Sequence, residues 1–133
     1  MKKISAILFL MVMVGMMSFR FLEEPKVIVI VTKANWCGTC KANGTRTVEN
    51  FMSNNQDSYF QLVANDLTDK TTKKTSLESL KKIGYDKEGK KLAVTGVLSF
   101  YNAKTKKLLT QISVSKSNEE VTQVMNDIRK QLN

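Results

Sequence analysis

Histidine is absent from this 133-residue chain, and cysteine, proline, tryptophan and arginine are scarce, at two, one, one and three residues. Two cysteines without a histidine cannot close a four-ligand zinc site, which would have to borrow carboxylates or a second chain. No cysteine follows the apolar start, so a lipid-modified N-terminal cysteine is not expected. The net charge of +9 is mostly lysine, eight of them (Lys70, Lys73, Lys74, Lys81, Lys82, Lys87, Lys90 and Lys91) in one segment. Arginine is limited to Arg20, Arg46 and Arg129, and no aromatic residues alternate with the lysines as stacking platforms. Nucleic acid is therefore not an expected partner, and the lysines read as a solvated basic face with some attraction to anionic lipid or acidic partners. Internal repeats, low-complexity tracts and linkers are also missing, which leaves one domain whose 42% hydrophobic residues supply a core.

The chain opens with Met1-Lys2-Lys3 and an apolar run, Ile4 to Met17, the positive start and hydrophobic stretch of a secretory signal. Residues 1–18 are expected to be that signal and residues 19–133 the exported domain. The alternative is a retained N-terminal membrane anchor, lysines inside and domain outside. Loss of Lys2 and Lys3 with the signal takes the charge from +9 to +7. The last residues, Gln131-Leu132-Asn133, form no ER-retention tetrapeptide. Together these point to a bacterial periplasm or cell surface, with inner-membrane attachment as the variant.

What the chain does have is Trp36-Cys37-Gly38-Thr39-Cys40, directly after the apolar run Val27 to Val31. A C-x-x-C where a buried strand turns into a helix is a redox site. The first cysteine meets the unpaired N–H groups and positive dipole end of the helix, which favour thiolate. Cys37 is thus the expected attacking thiolate and the more exposed sulfur. Cys40, one turn in, is the expected resolving thiol, buried beneath it. Trp36 is expected to shield the sulfurs. An inert structural disulfide and a dithiol holding soft Cu(I) remain open on the residues alone.

Periodicity organises the rest. A helix from Cys37 to about Asn54 would turn Val48, Phe51 and Met52 inward, and a second strand follows at Tyr59–Ala64. Thr75 to Glu78 fits a capping box opening a helix with Leu77, Leu80 and Ile83 inside and Gly84 as its stop, followed by a lysine-rich loop. Strands at Val97–Tyr101 and Leu108–Val114 make a hairpin. Ser117 to Glu120 is a second capping box before a helix bearing Val121, Val124, Met125, Ile128 and Leu132. The order β-α-β-α-β-β-α is an α/β chain with a central mixed sheet flanked by helices.

The stretch Val27 to Lys41 resembles the active-site segment of the thioredoxin superfamily, an apolar strand followed by W-C-x-x-C-K. Val94-Thr95-Gly96-Val97-Leu98-Ser99-Phe100 resembles the family's second active-site strand, V-x-G-[IV]-P-T-[FL], and the likeness spans about residues 26 to 132. It implies the thioredoxin fold and a protein-disulfide oxidoreductase activity carried by Cys37 and Cys40. Trp36, Gly38, Thr39, Lys41, Val97 and Leu98 would surround the pair, with no metal and no cofactor beyond the redox-active disulfide. The implied partners are cysteine-containing exported proteins and a membrane electron donor, for a monomer running as a reductant. Two family features are replaced: Leu98 holds the cis-proline position, and Val31 the position of a buried acid, leaving water or Lys33 to move protons at Cys40. Leu98 is expected to cover the sulfurs through a trans peptide and to narrow the substrate range, so that Leu98→Pro would raise activity on insulin. The reading from a different class is a non-catalytic module that keeps the fold and grips Cu(I), another soft metal or a partner protein.

Overall fold

The structure, a computed structural model, describes residues 23–133; the expected signal segment 1–18 lies outside them. Val27 to Val31 is β-branched throughout and forms the core of strand β1 (Val27–Lys33), which alternates between two hydrophobic clusters with the period of two that a strand imposes. Val27 and Val29 pack with Phe51, Phe100 and Met125 on one face, and Ile28 and Ile30 with Leu80, Tyr85 and Tyr101 on the other. Burial on both faces makes β1 central. It pairs in parallel with β2 (Phe60–Asp66) and antiparallel with β3 (Val97–Asn102), which pairs antiparallel with β4 (Leu108–Ser113), for a sheet order of β2-β1-β3-β4.

Helices α1 (Gly38–Ser53) and α4 (Asn118–Leu132) cover the first face; α2 (Lys70–Lys82) and the short α3 (Asp86–Lys91) cover the second. Phe51 of α1, Phe60 of β2 and Phe100 of β3 meet edge to face, with ring centroids 5.8 and 6.1 Å apart across Phe60. That arrangement suits the aromatic quadrupoles and fixes how α1 lies on the sheet. Arg46 adds polar ties from α1 to the turn before α4, donating to Asn118 Oδ1 at 2.6 Å and to the carbonyls of Val114 and Lys116.

The expected mixed sheet and element order hold, with three local differences. Thr75–Glu78 does not open the second helix: α2 starts a turn and a half earlier, where Asp69 caps it by accepting the Thr72 N–H at 2.8 Å. The lysine-rich loop contains α3, whose buried Gly89 lets it pack against α2, since a Cβ there would lie 2.5 Å from Leu80 Cδ1. On α1, Val48 and Met52 are exposed, and the buried positions are Thr47 and Phe51. Ser117–Glu120 is the expected capping box, closed in both directions.

The caps link stability to pH. The Thr72 backbone N–H, with its hydroxyl, holds Asp69 below the ordinary 3.8; the Ser117 N–H and then Lys116 hold Glu120 below 4.5. Both contributions are complete above those ordinary values and vanish as pH falls through the lowered ones. The melting temperature is expected to fall between about pH 6 and about pH 3. Combining Asp69→Asn, which still caps, with Glu120→Gln should flatten part of that fall, and an unchanged acid slope would remove the caps from the account.

Candidate functional site

Where β1 ends, Ala34 turns the chain: its carbonyl accepts the Cys37 N–H at 3.1 Å, and α1 begins at the next residue. Cys37 is the N-cap. Its sulfur accepts the Cys40 N–H at 3.2 Å, as a serine or aspartate oxygen does at other helix starts. Cys40 lies one turn along, and the two are joined in a disulfide with Cα atoms 5.2 Å apart. A thiolate at Cys37 would keep that N–H and the positive helix end, both of which favour the anion.

Gly38 and Thr39 form the exposed bridge between the cysteines, and Lys41, the fourth residue of α1, is exposed. Trp36 stands largely in solvent. It is 62% exposed, and its indole N–H donates to the Thr68 carbonyl at 3.2 Å. Thr68 also accepts the Asn35 N–H on its hydroxyl at 2.9 Å, while Asp66 accepts the Thr68 N–H and hydroxyl. The turn after β2 thus holds the turn that carries the cysteines. Thr68 and Asp66 lie about thirty residues from the motif, and no spacing rule would have linked them to it.

In the disulfide form the burial of the two whole residues runs opposite to the order expected for their sulfurs. Cys37 is 6% exposed, whereas Cys40 is only half-buried. Gly96, the residue before β3, lies close to the Cys37 sulfur. A Cβ on Gly96 would lie 3.6 Å from Cys37 Sγ and 3.5 Å from the Thr39 side chain. Gly96 has φ +78°, donates to the Thr32 carbonyl at 2.7 Å and accepts the Val114 N–H at 2.9 Å. This left-handed conformation is natural to glycine and strained for other residues. Its one signal in the sequence is its place in the second motif, directly before Val97 and Leu98.

Leu98 and Val97 part company. Leu98, 1% exposed, belongs to the first core cluster and lines the same cleft as Cys40. Val97 lines a separate hollow of about 380 Å³ with Leu92, Val94 and Ile112. No cis peptide bond occurs among the described residues, so the Val97–Leu98 bond is trans as expected. Val31 and Lys33 also line the Cys40 cleft. Among the described residues no group of three or more His, Cys, Asp or Glu side chains is placed to hold a metal ion.

A mixed sheet in this order, with a disulfide at the turn from its central strand into a helix, is the thioredoxin fold. No protein-family model matches the chain, and no curated protein matches it in sequence. Solved structures do match. The chain is similar to Trxlp from Edwardsiella tarda EIB202, with TM-score 0.50 and 13% identity over 76% of this chain and 82% of that one. It is similar also to a secreted Mycobacterium tuberculosis disulfide oxidoreductase homologous to E. coli DsbE, with TM-score 0.50 and 14% identity over 77% of this chain and 81% of that one. At these identities the likeness is one of fold.

Proposed function

We propose that this protein is an exported thiol–disulfide oxidoreductase that works through the Cys37–Cys40 dithiol/disulfide. The observation that carries the reading is the Cys37 sulfur at the N-cap of α1, accepting the Cys40 N–H. When the pair is reduced, that position favours a thiolate, and Cys37 attacks one sulfur of a substrate disulfide. The attacked sulfur becomes bound to Cys37, and the other leaves as a thiolate. Cys40 then displaces the first sulfur from Cys37, closing the internal disulfide and releasing reduced substrate. Two electrons pass from the dithiol to the substrate.

Export rests on the leader at residues 1–18 and is in keeping with the secreted oxidoreductase that shares the fold. Among the described residues no helix is long and apolar enough to cross a membrane. The partners that fit are exported proteins with cysteines and a membrane electron donor; nucleic acid has no place in the scheme, and the working unit is a monomer. The reducing direction follows from what stands between and beside the sulfurs. Gly38-Thr39 contributes no charge, and the chain has no histidine to stabilise the thiolate as in strong oxidants.

The test is insulin reduction by the purified protein with dithiothreitol, beside the reduction potential of the couple. Turnover is expected, with a potential nearer to roughly −270 mV than to about −120 mV. Stoichiometric copper on the purified protein with no insulin reduction would replace this reading by the metal-holding module.

A further inference from the structure

On α2, Lys70, Lys73, Lys74, Leu77 and Lys81 recur at intervals of three and four, the spacing that puts side chains on one helix face. Lys90 of α3 stands with them, and the two helices frame a hollow of about 410 Å³. Five lysines line it against two carboxylates, Glu78 and Asp86. All five lysines are exposed and none has an ion-pair partner, since among the described residues those pairs are Lys116 with Glu120 and Arg129 with Asp57. Residues 1–22 hold Lys2, Lys3 and Arg20 but no aspartate or glutamate, so they bring no carboxylate to the hollow. The helix itself gains nothing from this row. Lys70 and Lys74 repel each other four residues apart, and Lys70 and Lys73 occupy a first turn where the helix dipole disfavours cations.

The row starts at the redox end of the domain. Lys70 follows Thr68 by two residues, and the Thr68 carbonyl accepts the Trp36 indole N–H at 3.2 Å, beside the turn that carries Cys37. From Lys70 to Lys81 the row runs about 16 Å along α2. That is the reach of about five residues of extended chain.

We propose that the hollow between α2 and α3 receives an acidic segment of the protein whose disulfide Cys37 attacks. The proposal rests on the oxidoreductase reading above and gives it a substrate class: exported proteins with a run of aspartate or glutamate near a disulfide. Attraction between the lysines and such a run raises the rate of encounter and fades with salt, while the exchange at Cys37 is unaltered. The effect therefore lies in binding. A lipid surface fits the hollow less well, because adhesion to it adds inserted apolar side chains to charge. Leu77 is half-buried, and neither α2 nor α3 has a large apolar residue exposed.

The probes are two synthetic peptides with the same disulfide loop, one followed by a run of glutamates and the other by the same run of glutamines. Each is mixed with pre-reduced full-length protein and its single-turnover reduction followed. At low ionic strength the glutamate peptide is expected to react about tenfold faster below saturation, and at the same rate as the glutamine peptide at saturation. In about 0.5 M sodium chloride the preference should vanish, a loss read on the unaltered protein. Combining Lys70→Gln, Lys73→Gln, Lys74→Gln and Lys81→Gln should abolish it at low salt. Lys26→Gln, Lys104→Gln, Lys107→Gln and Lys130→Gln together remove the same charge from exposed positions elsewhere and should keep at least about half of it. Equal rates for the two peptides at low salt, or an equal loss from both sets of substitutions, would overturn the proposal and leave the oxidoreductase reading in place. Adhesion to phosphatidylglycerol vesicles that the first set abolishes, without a preference between the peptides, would overturn it in favour of lipid. A cysteine-free glutamate peptide followed by fluorescence anisotropy separates the two readings. If it binds the wild type and not the first set, while neither disulfide peptide is reduced, the hollow keeps its acidic occupant and the oxidoreductase reading falls.

Discussion

Leu98→Ala is expected to lower the unfolding free energy by about 2–5 kcal/mol, the cost of emptying a well-packed leucine site. Against a typical domain stability of about 5–15 kcal/mol, that is a large share of what holds the fold. The size follows from position. Leu98 is 1% exposed and pairs with Val31 on β1 and with Ile112 on β4, so neighbours on both sides leave little freedom to collapse into the space. The same register bears on Leu98→Pro, which the sequence alone suggests as a way to raise activity. β3 lies between two partners, where proline removes a ladder hydrogen bond and is poorly tolerated. The variant gives up core packing as well, so it should lose stability before any gain at the sulfurs registers. Urea unfolding of Leu98→Ala is the direct measurement. A loss below about 1 kcal/mol would be too small for a core leucine and would return Leu98 to the role of a cover over the disulfide.

The second large effect concerns the cysteines one at a time. Cys37→Ser is expected to bring insulin reduction down to the uncatalysed rate, because the remaining Cys40 thiol lies within the first turn and is not at the helix cap. Cys40→Ser keeps the activated sulfur and removes its resolving partner, so it should react once with each substrate disulfide and stop as a mixed disulfide on Cys37. Non-reducing electrophoresis with a disulfide-containing protein separates the two: covalent adducts should build up with Cys40→Ser alone. Adducts with Cys37→Ser instead would exchange the roles of the two thiols in attack on substrate.

Much of this was legible in the residues, for reasons particular to each element. The unbroken β-branched run of β1 declares a buried strand, and a tryptophan and two cysteines at its end declare the turn and its chemistry. The capping box at Ser117 and the spacing from Val121 to Leu132 define α4 because local hydrogen bonding and periodic burial agree there. They disagree in α2. Its first turn is lysine and threonine, so the apolar signal begins late, and Thr75–Glu78 imitates a start that Asp69 makes earlier. The six residues of α3 show no apolar stripe and carry a glycine; the helix exists because Gly89 lies against Leu80, a tertiary fact. The site divides similarly. Cys37 as cap follows from local order, but the close approach to its sulfur comes from Gly96, almost sixty residues away, and the seating of Trp36 depends on Thr68.

The far end of β1 is bracketed from both sides. Lys33 accepts the Leu67 N–H at 2.8 Å and Thr32 accepts the Gly96 N–H at 2.7 Å, just before the chain turns to Cys37. Freeing that turn means parting the central strand from both neighbours, which is close to unfolding the domain. Amide protons there should therefore exchange with solvent at the rate of global opening, orders of magnitude slower than those of surface loops.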